Sequence, residues 1–224
     1  AEAGVLKAFT EEGMHCSGIE LSADRVKNAR RFHADNLEKG LIDFTVANIF
    51  DADPESMGGP YDLIILKDVI EHIHDQQKAL GHFRKFLKPG GHIIFTMPPW
   101  IMPFGGHQQM CHNKFLARTP FFHLLPMWTY QKILKWLNKN ERQNEGLIEI
   151  KETGISIHRF ETILRKEQYH IVHRQFYFVP PIYEYKFGFK VRKLPSLIGA
   201  IPLLREFFIT SAYYLIQHTK YTKT

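Results

Sequence analysis

The stretch that decides the fold is Gly18-Ile19-Glu20-Leu21-Ser22. It is typical of the end of a buried strand, followed by an acidic residue at the strand's carboxyl tip and a helix that begins at a serine cap. Two further stretches follow at α/β spacing, Leu66-Lys67-Asp68-Val69-Ile70-Glu71-His72-Ile73 and Leu87-Lys88-Pro89-Gly90-Gly91-His92-Ile93-Ile94-Phe95. Ligands of open α/β sheets bind outside the carboxyl ends of the strands, so these stretches predict a nucleoside cofactor at that edge.

Apolar runs and helical patterns alternate along the chain, which predicts an α/β fold with a doubly wound, mostly parallel sheet. The pattern predicts strands at 14–20, 43–47, 61–66, 92–97, 170–179 and 207–216 and helices at 5–9, 22–38, 76–87, 130–137 and 159–166. Residues 88–91 are expected to form a turn, and residues 182–206 an irregular basic connection. We expect residues 1–224 to form a single domain, in which residues 100–150 are an inserted cap or lid.

The composition is that of an ordinary globular protein, with 44% hydrophobic and 23% charged residues in a chain of 224. No apolar run reaches the roughly 18 residues that a membrane span needs, and no signal peptide is recognisable. Cys16 and Cys111 have no paired spacing, so neither a disulfide framework nor a zinc ribbon is predicted. We expect a cytoplasmic protein.

The charge is uneven along the chain. Residues 1–110 carry 11 Lys/Arg and 15 Asp/Glu, whereas residues 111–224 carry 18 and 8. The basic half is suited to phosphates, an anionic membrane surface or an acidic substrate, and a solvated basic surface is an equally good explanation.

The first residues read directly into a helix, without the strand that a parallel sheet would need there. We therefore expect the sequence to begin inside a strand-to-helix turn. Ala1-Glu2-Ala3-Gly4 contains small residues that allow the backbone to approach a ligand, and the helix N-terminus that follows favours negative charge.

Candidate ligand-binding residues follow the predicted strands. Glu20 can accept hydrogen bonds from both ribose hydroxyls, and Leu21 can pack on an adenine face. Asn48 can bond the adenine edge, and the backbone amide of Ile49 can serve the ring nitrogen. Lys67-Asp68 leaves its strand at the height of the reacting group. Each residue also has a simpler explanation, such as a charge at a helix start for Glu20 or a turn at Asn48.

These motifs make the chain resemble class I S-adenosylmethionine-dependent methyltransferases, especially the type 11 or ubiquinone-biosynthesis-like small-molecule group. Ala1-Glu2-Ala3-Gly4 resembles the end of that family's glycine-rich loop, with alanine at two glycine positions. Asp68–Ile73 and Leu87–Gly91 resemble its segments after strand four and before strand five. The resemblance implies a Rossmann-like methyltransferase fold, with an α-helical insertion after strand five and an antiparallel last strand. It implies S-adenosylmethionine as cofactor, bound by Ala1, Glu2, Ala3, Glu20, Leu21, Asn48, Ile49, Lys67, Asp68 and His72.

A base is needed in methyl transfer only if the acceptor must lose a proton. His107 follows the strand at 92–97 and is the candidate base, with His112 as a second candidate; a lid turn in which His107 bonds backbone is the simpler explanation. A metal site formed by His107, Cys111 and His112, or by His72 and His74, lacks a recognised ligand spacing. No metal is therefore predicted.

Three functions remain open. The first is methyl transfer to a small or lipid-like acceptor, with an aromatic pocket in the insertion and Lys132, Lys135 and Lys139 on an anionic membrane surface. The second is an NAD-dependent dehydrogenase, which the N-terminal loop fits poorly. The third is a non-catalytic module that docks through Lys186, Lys190, Arg192, Lys193 and Arg205; no nucleic-acid motif supports a nucleic-acid partner.

Overall fold

The computed structural model describes residues 3–221, so the predictions for Ala1 and Glu2 lie outside the described residues. The chain divides into two compact units, residues 1–61 and 62–224. None of the helices in the described part is long and apolar enough to cross a membrane.

The first unit contains a two-stranded parallel sheet and three helices. In chain order these are α1 (Leu6–Glu11), β1 (Cys16–Glu20), α2 (Ala23–Phe32), α3 (Ala34–Glu38) and β2 (Ile42–Val46).

The inward face of α2 consists of Val26 and Ala29, which are buried against Ile42 and Phe44 of β2. The predicted helix 22–38 is interrupted at His33, whose buried ring points its Nε2 at the Ala3 carbonyl, 3.2 Å away. This tertiary contact ends α2 before the helical pattern ends.

The second unit contains a five-stranded sheet in the order β3-β4-β7-β5-β6. Strand β7 is antiparallel to both of its neighbours, β4 and β5, which confirms the predicted antiparallel last strand. The remaining elements in chain order are β3 (Tyr61–Lys67), α4 (Gln76–Phe83), β4 (Leu87–Met97), α5 (Lys114–Arg118), α6 (Met127–Leu137), α7 (Glu141–Thr153), α8 (Ile157–Lys166), β5 (Tyr169–Val179), α9 (Pro181–Phe187), β6 (Arg192–Lys193), α10 (Ser196–Gly199), α11 (Pro202–Glu206) and β7 (Ser211–His218).

Three predictions for this unit are wrong. Strand β4 begins at Leu87 and runs through the Lys88–Gly91 segment, where a turn was expected; Gly90 takes a φ of +83° that other residues rarely adopt. The segment 182–206 is not irregular, because it contains α9, β6, α10 and α11. Strand β7 also begins at Ser211, four residues later than expected.

The helical insertion after β4 has its own small core. Tyr130 and Leu134 of α6 have no exposed surface and pack with Leu147 of α7, Leu116 of α5 and Phe122. Burial of one such side chain stabilises the fold by about 1.5–3 kcal/mol, so the insertion is a packed element.

Candidate functional site

In the first unit, the carboxylate of Glu20 stands at the end of β1. Its Oε1 accepts a hydrogen bond from the Ser22 backbone N–H at 3.1 Å, and Oε2 lies 3.6 Å from the Arg25 guanidinium. The side chain remains 36% exposed, so lone pairs are still available to two ribose hydroxyls. Next to it, Leu21 is 70% exposed and offers an apolar surface for a base.

The loop after β2 places Asn48 at the surface. Its Oδ1 accepts a hydrogen bond from the Phe50 N–H at 3.0 Å, so the simpler explanation, a turn, holds as well. A carboxamide oxygen has a second lone pair, which an adenine amino group could use. Within residues 3–221 the backbone N–H of Ile49 makes no hydrogen bond, as expected of a donor reserved for water or a ligand.

The N-terminal loop is described only from Ala3 onward. Ala3 has a φ of +54°, the left-handed conformation that glycine adopts most easily. Its carbonyl accepts the Leu6 N–H at 2.9 Å. The backbone here therefore has a glycine-like conformation, although the residue is alanine.

In the second unit, Lys67 ends β3 and Asp68 leaves it with a φ of +53°. The Asp68 N–H donates to the Thr96 carbonyl at 2.8 Å, and the Thr96 hydroxyl lies 3.3 Å from Asp68 Oδ1. Loss of surrounding water raises the pKa of the Asp68 carboxyl, and the Lys67 ammonium opposes that rise. Strand β4 thus fixes the direction in which Asp68 leaves the sheet.

Glu71 is a residue to which the sequence assigned no role. It is 3% exposed, and neither carboxyl oxygen makes a hydrogen bond among the described residues. Burial raises the pKa of the Glu71 carboxyl to about 8, and the Asp68 charge adds to the rise. At neutral pH the carboxyl is therefore mostly protonated, which removes the cost of burying a bare charge.

The structure brings together two histidines with different predicted roles: His72, predicted to bind the cofactor, and His107, the candidate base. Their rings stack with centroids 5.7 Å apart and an interplanar angle of 25°. Burial lowers the pKa of His107 and the neighbouring His72 lowers it further, so the ring is neutral at pH 7. Its Nδ1 is buried and has no hydrogen-bond partner among residues 3–221, so His107 is not consumed by a backbone bond.

Two glycines hold His107 in place. A Cβ on Gly105 would lie 2.2 Å from the Trp100 carbonyl oxygen, and one on Gly106 would lie 2.2 Å from His123 Cβ. Neither distance is compatible with a side chain. His107 itself has a φ of +54°, so the Gly105-Gly106 pair permits a close approach that fixes the backbone before it.

One ligand atom each from Glu71, His72 and His107 lies within 4.8 Å of the other two. A cation or a shared proton fits this spacing. The trio His107, Cys111 and His112 considered from the sequence is not among the clusters of three ligands found in residues 3–221. His112 donates its backbone N–H to Gln143, and His74 Nε2 lies 3.7 Å from Glu149.

Comparison with known proteins shows which family this chain belongs to. The profile described as "Methyltransferase domain" matches residues 2–144. A ubiquinone biosynthesis O-methyltransferase of Pectobacterium atrosepticum is 31% identical over 94 residues, 42% of this chain and 38% of that protein. Phosphoethanolamine N-methyltransferase 2 of Caenorhabditis elegans is 26% identical over 172 residues, 75% of this chain and 35% of that protein. The chain thus spans little more than a third of the length of these relatives.

Among solved structures, geranyl diphosphate C-methyltransferase from Streptomyces coelicolor A3(2) has a TM-score of 0.57 at 13% identity, covering 97% of this chain and 70% of that one. That structure holds Mg²⁺, geranyl diphosphate and S-adenosyl-L-homocysteine. The likeness confirms the predicted Rossmann-like α/β fold. Because the profile covers well over half of the sequence, the chain belongs to the methyltransferase domain family.

Proposed function

We propose that this protein transfers a methyl group from S-adenosylmethionine to a hydroxyl group of a small-molecule acceptor. The observation that carries the proposal is the half-exposed Glu20 carboxylate at the tip of β1, in a chain that belongs to the methyltransferase domain family. The dehydrogenase and the non-catalytic module are not favoured by any of the relatives found.

The residues of the first unit fit the adenosine part of the cofactor. Glu20 retains lone pairs for the ribose, Leu21 presents apolar surface to the base, and the free Ile49 N–H can donate to a ring nitrogen. Ala3 has the backbone conformation of the glycine that it replaces. Ala1, Glu2 and Lys67 remain predicted cofactor-binding residues.

In this proposal the second unit supplies proton transfer. When bound, S-adenosylmethionine provides a methyl group that is already activated for transfer. His107 accepts the proton of the acceptor hydroxyl, because its buried ring is neutral at pH 7. His72 packs against His107 and orients it, and Asp68 stays beside them at the end of β3.

The acceptor is proposed to be apolar or lipid-like, delivered at an anionic membrane surface. Helix α6 supports this idea because one of its faces exposes Trp128 and Trp136, 66% and 72% exposed, together with Lys132 and Lys135. Tryptophan is enriched at bilayer interfaces, and lysine side chains beside it can meet anionic headgroups. Lys139 follows the helix and is also exposed. The cap role of residues 100–150 and the cytoplasmic location remain predictions.

The proposal is tested by methyl transfer from radiolabelled S-adenosylmethionine to a panel of phenols and quinols, measured in the organic extract. Binding of S-adenosylhomocysteine and of NADH is compared by calorimetry in parallel. We expect label transfer and micromolar S-adenosylhomocysteine binding. Tight NADH binding would point to a dehydrogenase, and no nucleotide binding to a non-catalytic module; either result would contradict the proposal.

A further inference from the structure

Residues 181–208 expose many large apolar side chains to solvent, and we call this segment the docking surface. Tyr185 is 89% exposed, Leu197 79% and Leu203 75%, values far above those of side chains in a packed region. The exposed large hydrophobic side chains of this segment are Ile182, Tyr185, Phe187, Phe189, Val191, Leu197, Ile201, Leu203, Leu204, Phe207 and Phe208. So much exposed apolar area in one short segment indicates an interaction surface.

The surface belongs to a folded platform. Arg205 and Glu206 of α11 are 5% and 1% exposed. The Arg205 guanidinium donates to Glu161 at 2.7 Å, and the Glu206 carboxylate accepts the backbone N–H groups that begin α8, those of Ile157 and His158. These buried contacts anchor α11 to α8. Because it is buried, Arg205 does not belong to the basic footprint predicted from sequence.

The same surface is basic. Lys186, Lys190, Arg192 and Lys193 are all exposed, and Glu184 is the exposed acidic residue of the segment. Cations that alternate with aromatic and aliphatic side chains match a bilayer interface, where the apolar groups enter the acyl boundary and the cations meet anionic headgroups.

The surface is linked to the two regions that the proposed function uses. Phe207, at the end of α11, packs against Phe121 of the insertion with ring centroids 6.0 Å apart. On α9, the Lys186 ammonium is near enough to Asp68 to oppose a small part of the rise that burial causes in the pKa of that carboxyl.

We propose that residues 181–208 dock this protein on the surface of an anionic lipid bilayer. The inference deepens the proposed membrane contact and rests on the proposed function only for the route of the acceptor. Two copies of this surface would bring like charges together, which disfavours self-association. The segment also carries aromatic rings on which bases could stack, so RNA binding is one of the outcomes that the test below measures.

Docking is tested by co-sedimentation with vesicles of phosphatidylglycerol and phosphatidylcholine, compared with vesicles of phosphatidylcholine alone. Two variants probe the surface: Lys190→Glu/Lys193→Glu removes its charge, and Phe187→Ser/Leu203→Ser removes apolar contacts. Lys27→Glu/Lys85→Glu is the matched control, because both lysines are exposed outside the surface and the change in net charge is equal. Thermal melting confirms that each variant is folded.

We expect the unaltered protein to bind the anionic vesicles, and each surface variant to lose about tenfold or more in affinity while the control does not. The inference would be overturned if the protein did not bind vesicles, or if the control lost as much affinity as the surface variants. It would also be overturned if the surface variants kept vesicle binding and lost self-association or RNA binding. Vesicle binding is measured without cofactor or acceptor. It can therefore fail while methyl transfer succeeds, and methyl transfer can fail while vesicle binding succeeds.

Discussion

Two carboxyl groups near the carboxyl ends of strands lie in opposite environments: Glu20 ends β1, and Glu71 lies in a short turn four residues beyond β3. Glu20 is 36% exposed and is held by the Ser22 N–H, whereas Glu71 is 3% exposed and has no hydrogen-bond partner among the described residues. A solvated carboxylate is suited to binding hydroxyl groups, and a buried neutral carboxyl beside two imidazoles is suited to moving protons. The difference in burial thus suits the carboxyl groups of Glu20 and Glu71 to different tasks.

The largest effect is expected at His107. His107→Gln removes the only ring we assign as base, so turnover should fall about 10²–10⁴-fold, while S-adenosylhomocysteine affinity stays within about twofold. His112→Gln is the matched control, because His112 is exposed and its contact uses backbone only. Radiolabelled methyl transfer measures the turnover, and calorimetry measures the affinity for S-adenosylhomocysteine. Equal turnover in both variants would remove His107 as base.

The pKa of Glu71 predicts a pH-dependent stability. Between pH 4.5 and about 8 the unfolded chain releases this proton while the folded protein keeps it. This contribution is therefore fully present below pH 4.5 and is lost as the pH rises towards 8. The loss is at most about 5 kcal/mol.

Urea denaturation from pH 5 to pH 8 measures the slope in the protein and in Glu71→Gln, which carries a neutral amide at the same position. The variant should lose most of the slope and be the more stable of the two at pH 8. Identical slopes would show that Glu71 is ionised in the folded state and would contradict a raised pKa for this carboxyl.

The Gly105-Gly106 pair predicts a smaller, structural effect. Gly106→Ala places a Cβ against His123 and should destabilise the fold by about 1–3 kcal/mol and lower turnover through His107. Gly146→Ala, within α7 and with no atom within 4 Å of the added Cβ, should be neutral or stabilise by up to about 1 kcal/mol. Thermal melts of both variants make the comparison.

Much of the fold is predictable because apolar runs end at turn residues. The strands at 43–47, 61–66, 92–97 and 170–179 lie inside observed strands or within one residue of them, apart from the early start of β4. The short helices α9, α10 and α11 have at most seven residues and no buried stripe, so they leave little helical periodicity.

The candidate site was predictable only in part, for a physical reason. Motifs identify Glu20, Asn48 and Asp68 because each is expected near the carboxyl end of a strand. In the structure Glu20 ends β1, Asn48 lies two residues beyond β2, and Asp68 directly follows β3. The burial of Glu71 and the stacking of His107 depend on how distant segments pack, which no local pattern encodes. The sequence pointed to Glu71 only through its position, because an acidic residue there directly follows the apolar Ile70 and precedes a histidine.

The smallest effect is also the most direct test, since the account depends on an adenosine-binding carboxylate at the end of β1. Calorimetry with S-adenosylhomocysteine should give micromolar affinity for the unaltered protein and about tenfold weaker binding for Glu20→Ala. Glu38→Gln, an exposed acid at the end of α3, serves as control and should bind as the unaltered protein does. Undetectable binding by the unaltered protein, or equal affinity in Glu20→Ala, would contradict the account.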